Sequence, residues 1–435
     1  MQRATGTFVI QDFQKIKQQL LHWANQYDSC SFLDNHQYTS LHHSVECLVA
    51  VGEVNRCSPS SHHQQALASF LQQTNDWLFG HISYDFHSIL YPSLAQQKPD
   101  SIGFQPIYFY QPEIVLQLSA TELRIESLTL LPIDIYQQIR KSSITSSQQP
   151  ITSSQQLAIQ SRISKADYLQ TIHQLQQYIL RGDCYEINYC QEFYASNAVI
   201  EPLAIYQQLT AISPNPFASY YKLNDKYLLC ASPERYLKKQ GHQLISQPIK
   251  GTFKRNLQNT EADKALKQQL FASHKDRTEN VMVVDLVRND LSRICKEGTV
   301  QVEELFGIYT YPQVHQMIST IVGEIDESTN LATILQATFP MGSMTGAPKQ
   351  KVMQLINEYE PSSRGLYSGA VGYISPNKDF DFNVVIRSIL YNSTSKYLSY
   401  QVGGGITFNS IAEQEYEECL LKAEAIRKVL SVSKG

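Results

Sequence analysis

No stretch of eighteen apolar residues occurs in this 435-residue chain, so no membrane-spanning helix is expected. Its start, MQRATGTFVIQDFQKIKQQLL, lacks both a continuous apolar core and a small-residue cleavage site, which makes the cytoplasm the expected compartment. Blocks of like charge are missing too, and 36 Lys and Arg against 40 Asp and Glu leave a net charge of only -4. Without a basic field, neither nucleic acid nor an anionic membrane is expected as a partner. The eight cysteines (Cys30, Cys47, Cys57, Cys184, Cys190, Cys230, Cys295, Cys419) form no CxxC pair. In a chain too large to need disulfides they read as reduced, buried thiols. What is present is apolar material: a hydrophobic content of 42% is ample for one large domain or two interleaved layers.

One boundary is visible. Residues 141–157 form a linker or long exposed loop, because 141–156 read KSSITSSQQPITSSQQ, a tandem repeat with nothing to bury. It separates an N-terminal region, 1–140, from a second region, 158–430. In the first, alternation over Ile107-Tyr108-Phe109-Tyr110 and over 114–118 predicts strands, with helices near 10–26 and 64–77. In the second, Tyr168, Ile172, Leu175 and Ile179 make a helical stripe over 166–181 that stops at Gly182. A strand is expected over Cys184–Gln191, and the runs Lys226–Lys239 and Gln243–Phe253 flank Gln240-Gly241-His242, a hairpin loop.

Within that hairpin, Pro248-Ile249-Lys250-Gly251-Thr252 sets one lysine between an apolar pair and a Gly-Thr step. A three-residue loop would pair Glu234 with Pro248 and make Lys250 its diagonal neighbour on the same face. Apolar surroundings would lower the lysine's pKa and make it a nucleophile, with the carboxylate shuttling a proton. A strand salt bridge explains the same pattern.

Two further segments carry glutamates on apolar helical stripes: Glu279 with Met282, Val283 and Leu286, and Glu418 with Leu421 and Ala425. Two inward carboxylates without a His or Cys ligand set suit Mg2+; an exposed pair of Glu418 with Lys422 is the simpler alternative. Gly403-Gly404-Gly405 would let backbone N–H groups approach a small acid, and Arg387 interrupts an apolar strand, where it should face a carboxylate. The segment 342–349, GSMTGAPK, fails as a phosphate loop because no Ser or Thr follows its lysine.

Taken together, SPER (232–235), PIKGT (248–252), ENVMVVDLVRNDLSRI (279–294), GSMTGAPK (342–349), YSGAVGY (367–373), FNVVIRS (382–388), QVGGGIT (401–407) and EYEECLLKAEAI (415–426) resemble, in order, the chorismate-binding enzymes. The resemblance covers roughly residues 158–430, and Trp77 to Asp85 resembles the family's more divergent first region. It implies an α+β fold of two large antiparallel β-sheets packed as a sandwich with helices outside. Lys250 stands where anthranilate synthases usually carry alanine, and so looks like the aminodeoxychorismate synthase component I branch.

That resemblance implies a covalent lysine adduct of chorismate at Lys250, with Glu234 as general acid/base and Glu279 and Glu418 as Mg2+ ligands. Glu415 would stand behind the metal ligands. Gly251, Thr252, His315, Tyr367, Arg387, Gly403 and Gly405 match substrate-binding positions. Glu186 departs from the pattern, since aminating members mostly have glutamine there and isochorismate synthases a lysine. It could orient ammonia, accept its proton or act on water. No Gly-flanked nucleophilic cysteine with a His-Glu pair is found, so ammonia is expected from a separate glutamine amidotransferase subunit, and the product would feed 4-aminobenzoate and folate synthesis. Anthranilate formation and a non-catalytic chorismate-binding relative are the alternatives. The inhibitor-binding LLES motif of anthranilate synthases is absent, Phe32-Leu33-Asp34-Asn35 standing in its place.

Overall fold

The strand Cys47–Val51 is buried along its whole length, and its side chains divide by parity. Cys47, Val49 and Val51 enter one core cluster and Leu48 and Ala50 another. The strand Lys226–Ser232 does the same, with Leu229 and Ala231 on one side and Leu228 and Cys230 on the other. Period-two side chains buried on both faces place these strands in the middle layer of a sandwich. A computed structural model describes this architecture for residues 2–39, 42–59, 61–95, 98–142 and 157–431. Most of the Ser/Thr/Gln-rich segment, 143–156, lies outside the described residues.

Among the described residues there are two sheets, of 12 and 10 strands, with antiparallel pairing throughout. The first core cluster lies between the 12-stranded sheet and helices that include Phe13–Ala24, Lys165–Leu180, Pro202–Ile212 and Ala412–Lys422. The second fills the space between the sheets and continues under His274–Ser292 and Leu331–Thr338. This is the α+β sandwich that the family resemblance implied. The first 140 residues feed both sheets, with Ser29–Asp34 and Cys47–Val51 in the larger and Leu78–Ile82 and Ile107–Gln111 in the smaller.

Locally encoded elements form where expected. The helix anticipated near 10–26 is Phe13–Ala24, capped by Asp12, and that near 64–77 is His63–Gln73. Lys165–Leu180 is capped by Ser164 and ends at Gly182, whose φ of +82° only glycine adopts freely. All eight cysteines are free and seven are buried. No helix among the described residues is long and apolar enough to cross a membrane.

The hairpin around Lys250 differs from its expected form. The run Lys226–Lys239 is two strands: Lys226–Ser232 belongs to the larger sheet and Arg235–Gln240 to the smaller. The chain changes sheets at Pro233-Glu234 because proline has no N–H to offer a ladder and the Glu234 N–H is taken by Ser232 Oγ (3.2 Å). A second crossing, from Phe380–Asn383 to Ser388–Asn392, lies beside the first, with Val384 N–H donating to Glu234 O (3.0 Å). Gln240 pairs with Gln243, so the loop is the two residues Gly241-His242, and a bulge between Arg235 and Lys238 then restores the pairing of Arg235 with Gln247. Lys250 lies on a further strand, Ile249–Lys254, which pairs with Val314–Glu324. Glu234 and Lys250 are therefore not diagonal partners in one ladder.

Candidate active site

Strand Glu186–Ala195 runs antiparallel to Tyr397–Ile406, with Asn188 opposite Gly405 and Cys190 opposite Gly403. A side chain at 405 would run into Glu186 Oε1 and Lys250 Nζ, so glycine is what leaves room for these two to meet. The Lys250 ammonium donates to the Glu186 carboxylate, and the two side chains are 12% and 5% exposed. Burial by itself would favour the neutral amine, but the charges of Glu186 and Glu279 outweigh it and hold Lys250 above the ordinary lysine range. This corrects the expected lowered pKa: the free site stores the lysine protonated.

Glu234 approaches from the sheet crossing, and its carboxylate accepts the Ile249 N–H next to Lys250. Burial pushes it up to about 7, against the opposing pull of the Ser343 hydroxyl, Lys250 and Arg387. Such a group is poised to give or take a proton near neutrality. Arg387, on the second crossing, has a backbone φ of +50°, and its guanidinium makes no ion pair among the described residues. The expected carboxylate partner is thus not in contact; Glu234 acts on it only through space. A half-buried, unpaired guanidinium is a receptor for an anion.

Helices His274–Ser292 and Ala412–Lys422 bring a second group of carboxylates. Lys275 Nζ lies 3.8 Å from Glu279 and 3.9 Å from Glu415, which shows that the two helices converge. Burial pushes Glu279 up to about 7; Lys250 and Lys275 oppose this, while Glu186 and Glu415 reinforce it. Glu418 is held below the usual carboxylate range by Lys422, 2.8 Å away. The pair of Glu418 with Lys422 is present, with side chains 42% and 36% exposed, and Lys422 also donates to Gly403 O (2.9 Å) in strand Tyr397–Ile406. Among the described residues no three His, Cys, Asp or Glu side chains make a closed ligand set. Two hard carboxylates with open positions are what Mg2+ accepts, so the residues fit that ion.

Comparison with known proteins gives this geometry its context. Residues 17–428 match the family model described as chorismate binding enzyme. The chain belongs to that family. Over 266 residues it is 36% identical to aminodeoxychorismate synthase component 1 of Bacillus subtilis, covering 61% of this chain and 56% of that protein. Over 275 residues it is 36% identical to anthranilate synthase component 1 of Acetivibrio thermocellus, covering 63% and 55%. The chain thus spans little more than half the length of either relative. Among solved structures, anthranilate synthase component I from Streptococcus pneumoniae superposes with a TM-score of 0.76 at 23% identity, covering 89% of this chain and 95% of that one.

Measured against the family motifs, the fold gathers Lys250, Glu186, Glu234, Arg387, Glu279, Glu418, Glu415 and Gly405 at one place. Gly403 lies beside Cys190, whose Sγ is 3.7 Å from the Tyr367 hydroxyl. Gly251, at φ +89°, sits in the bulge that displaces Lys250 from the ladder, and Thr252 faces Gln316. His315 is not brought in: it turns toward Asp263 (3.1 Å) and Thr310 (3.0 Å) on the opposite face. Its neighbour Gln316 lies on the other face of the strand, fully buried, with both amide atoms unpartnered among the described residues. Sequence reading missed Gln316 and gave Lys422 only as the partner of Glu418 in an exposed pair. Period-two counting from Thr252 across the sheet would have found the first.

Proposed function

We propose that this chain is an aminodeoxychorismate synthase component I, converting chorismate and ammonia to 4-amino-4-deoxychorismate and water. The observation that carries this reading is Lys250, a buried lysine in direct contact with a carboxylate inside a site otherwise built to hold anions. Relatives with different names match at equal identity, so it is this residue that separates amination at carbon 4 from anthranilate formation.

In the proposed sequence Glu186 takes the proton of Lys250, freeing the amine. The amine attacks ring carbon 2, the double bond moves, and the carbon 4 hydroxyl leaves as water with a proton from Glu234. Ammonia then attacks carbon 4, the double bond returns, and the bond to Lys250 breaks. Glu234 accepts the proton released by the incoming amine. Arg387, Gln316, Lys422, Tyr367 and the glycine strand hold and orient the two carboxylates of the substrate. Mg2+ bound by Glu279 and Glu418, with Glu415 behind them, would neutralise a substrate carboxylate. Region 158–430 carries this chemistry in the cytoplasm. A separate glutamine amidotransferase supplies ammonia, and a later lyase would yield 4-aminobenzoate for folate.

The test is direct. Purified chain with Mg2+, chorismate and ammonium should form 4-amino-4-deoxychorismate, whereas glutamine alone should not support turnover. Release of pyruvate with a fluorescent product would instead establish anthranilate synthase.

A further inference from the structure

Strand Glu186–Ala195 is paired on one side by Tyr397–Ile406, while its other side has a gap. Gly346–Ala347 pairs with Glu186 and Ile187, and Gln160–Ser161 with Phe193 and Tyr194. Among the described residues no strand lies between these two short ones, beside Asn188 and Cys190. Both residues are buried, so their backbone groups need partners. Two side chains supply them. Arg364 Nη2 donates to Asn188 O (2.8 Å), and Glu360 Oε1 accepts from Cys190 N (2.8 Å). Arg364 and Glu360 are 2% and 4% exposed and are joined to each other through Arg364 Nε (2.9 Å) and Nη2 (2.6 Å). A buried ion pair thus stands in for a missing strand.

The same pair reaches the rest of the site. Arg364 Nη1 donates to Met344 O (2.7 Å), and Met344 follows Ser343, whose hydroxyl binds the Glu234 carboxylate. Tyr367 closes the turn that Arg364 opens, its N–H donating to Arg364 O (3.0 Å). Glu186, Asn188 and Cys190 share one face of their strand, so holding the second and third fixes the carboxylate of the first. Burying an ion pair adds little net stability; what this one adds is geometry.

We propose that the Glu360–Arg364 pair is the positioning unit of the site, holding Glu186 against Lys250 and locking its strand to the segment that carries Ser343. Its effect on rate rests on the amination reading above.

Arg364→Lys keeps the buried charge but cannot reach Glu360, Asn188 O and Met344 O together, and Glu360→Asp falls one methylene short of Cys190 N. In each, Glu186 should drift from Lys250, and the lysine should lose part of its hold on the proton. Lys250 is faced by Glu186, Glu279, Glu418, Glu234 and Lys422, of which Glu186 raises its pKa most. Trace acetylation with acetic anhydride at pH 8, read by peptide mass spectrometry against the 66% exposed Lys264, measures the neutral amine without turnover. Labelling of Lys250 should rise about tenfold in each variant, the change expected for one pKa unit. Adding either substitution to Glu186→Gln should raise it no further, because the pair acts through Glu186. Wild-type labelling in the folded variants, or an increase that adds to that of Glu186→Gln as general loosening would, overturns the assignment. With chorismate and ammonium, kcat should fall about tenfold or more while the KM for chorismate holds. The expected labelling in a chain that forms no 4-amino-4-deoxychorismate would keep the positioning role and remove the amination reading.

Discussion

Lys250 is paired with Glu186, 64 residues away in the chain, and not with Glu234, the carboxylate nearer to it in sequence. The nucleophile of the proposed reaction therefore rests in a protonated, neutralised state. Lys250→Ala should abolish the chorismate-dependent covalent adduct seen by intact-protein mass spectrometry. An adduct persisting in the variant would place the nucleophile elsewhere.

Glu186→Gln removes the charge that raises the Lys250 pKa most. The lysine's pKa must fall, so the acidic limb of the pH profile for adduct formation should move to lower pH. The maximum rate should also fall, because glutamine cannot take the proton. A limb that stays in place would show that Glu186 does not control the lysine.

Glu234 offers a stability test. Its folded pKa of about 7 lies above the ordinary 4.5, so the folded state binds the proton more tightly and loses stability as pH rises from the unfolded value through 7. The difference of 7 minus 4.5 corresponds to roughly 3 kcal/mol. Glu234→Gln should accordingly raise the melting temperature at pH 8, leave it unchanged at pH 4, and remove turnover. A variant less stable than wild type at pH 8 would contradict the burial argument.

What could be read in the sequence was local. Ser164 and Gly182 bound their helix through neighbouring backbone groups, and Glu279 and Glu418 showed on helical stripes, because those patterns need only a few consecutive residues. The Glu186–Lys250 pair could not be read, since it depends on two strands from different sheets and on the missing Cβ of Gly405. The sheet change at Pro233-Glu234 was hidden inside one apolar run. His315 and Gln316 illustrate how little separates the faces of a strand: one residue of offset exchanges a histidine held by Asp263 for a buried glutamine with no partner among the described residues.

Gly405→Ala tests the close approach directly. The added methyl meets the ends of two flexible side chains, so the fold should survive, with little change in melting temperature. The Lys250–Glu186 contact should not. A displaced nucleophile of this kind commonly costs about 100-fold in rate. Retention of wild-type kcat would show that the pair does not need its present geometry.

The carboxylates on the two helices make the last prediction. Glu279 and Glu418 come from separate helices, each seated by its own buried residues: Val283 and Val284 in the core between the sheets, Cys419 in the core of the larger sheet and its helices. Glu279→Gln keeps that packing and removes one charge. The Mg2+ concentration giving half-maximal activity should then rise by about tenfold or more, because a neutral amide is a weaker oxygen donor to a hard cation. Glu415→Gln should have a smaller effect, since Glu415 is already engaged by Ser410 (2.8 Å). Titration of chelator-treated enzyme with Mg2+ measures both. Equal, unshifted titrations for Glu279→Gln and wild type would place the metal elsewhere.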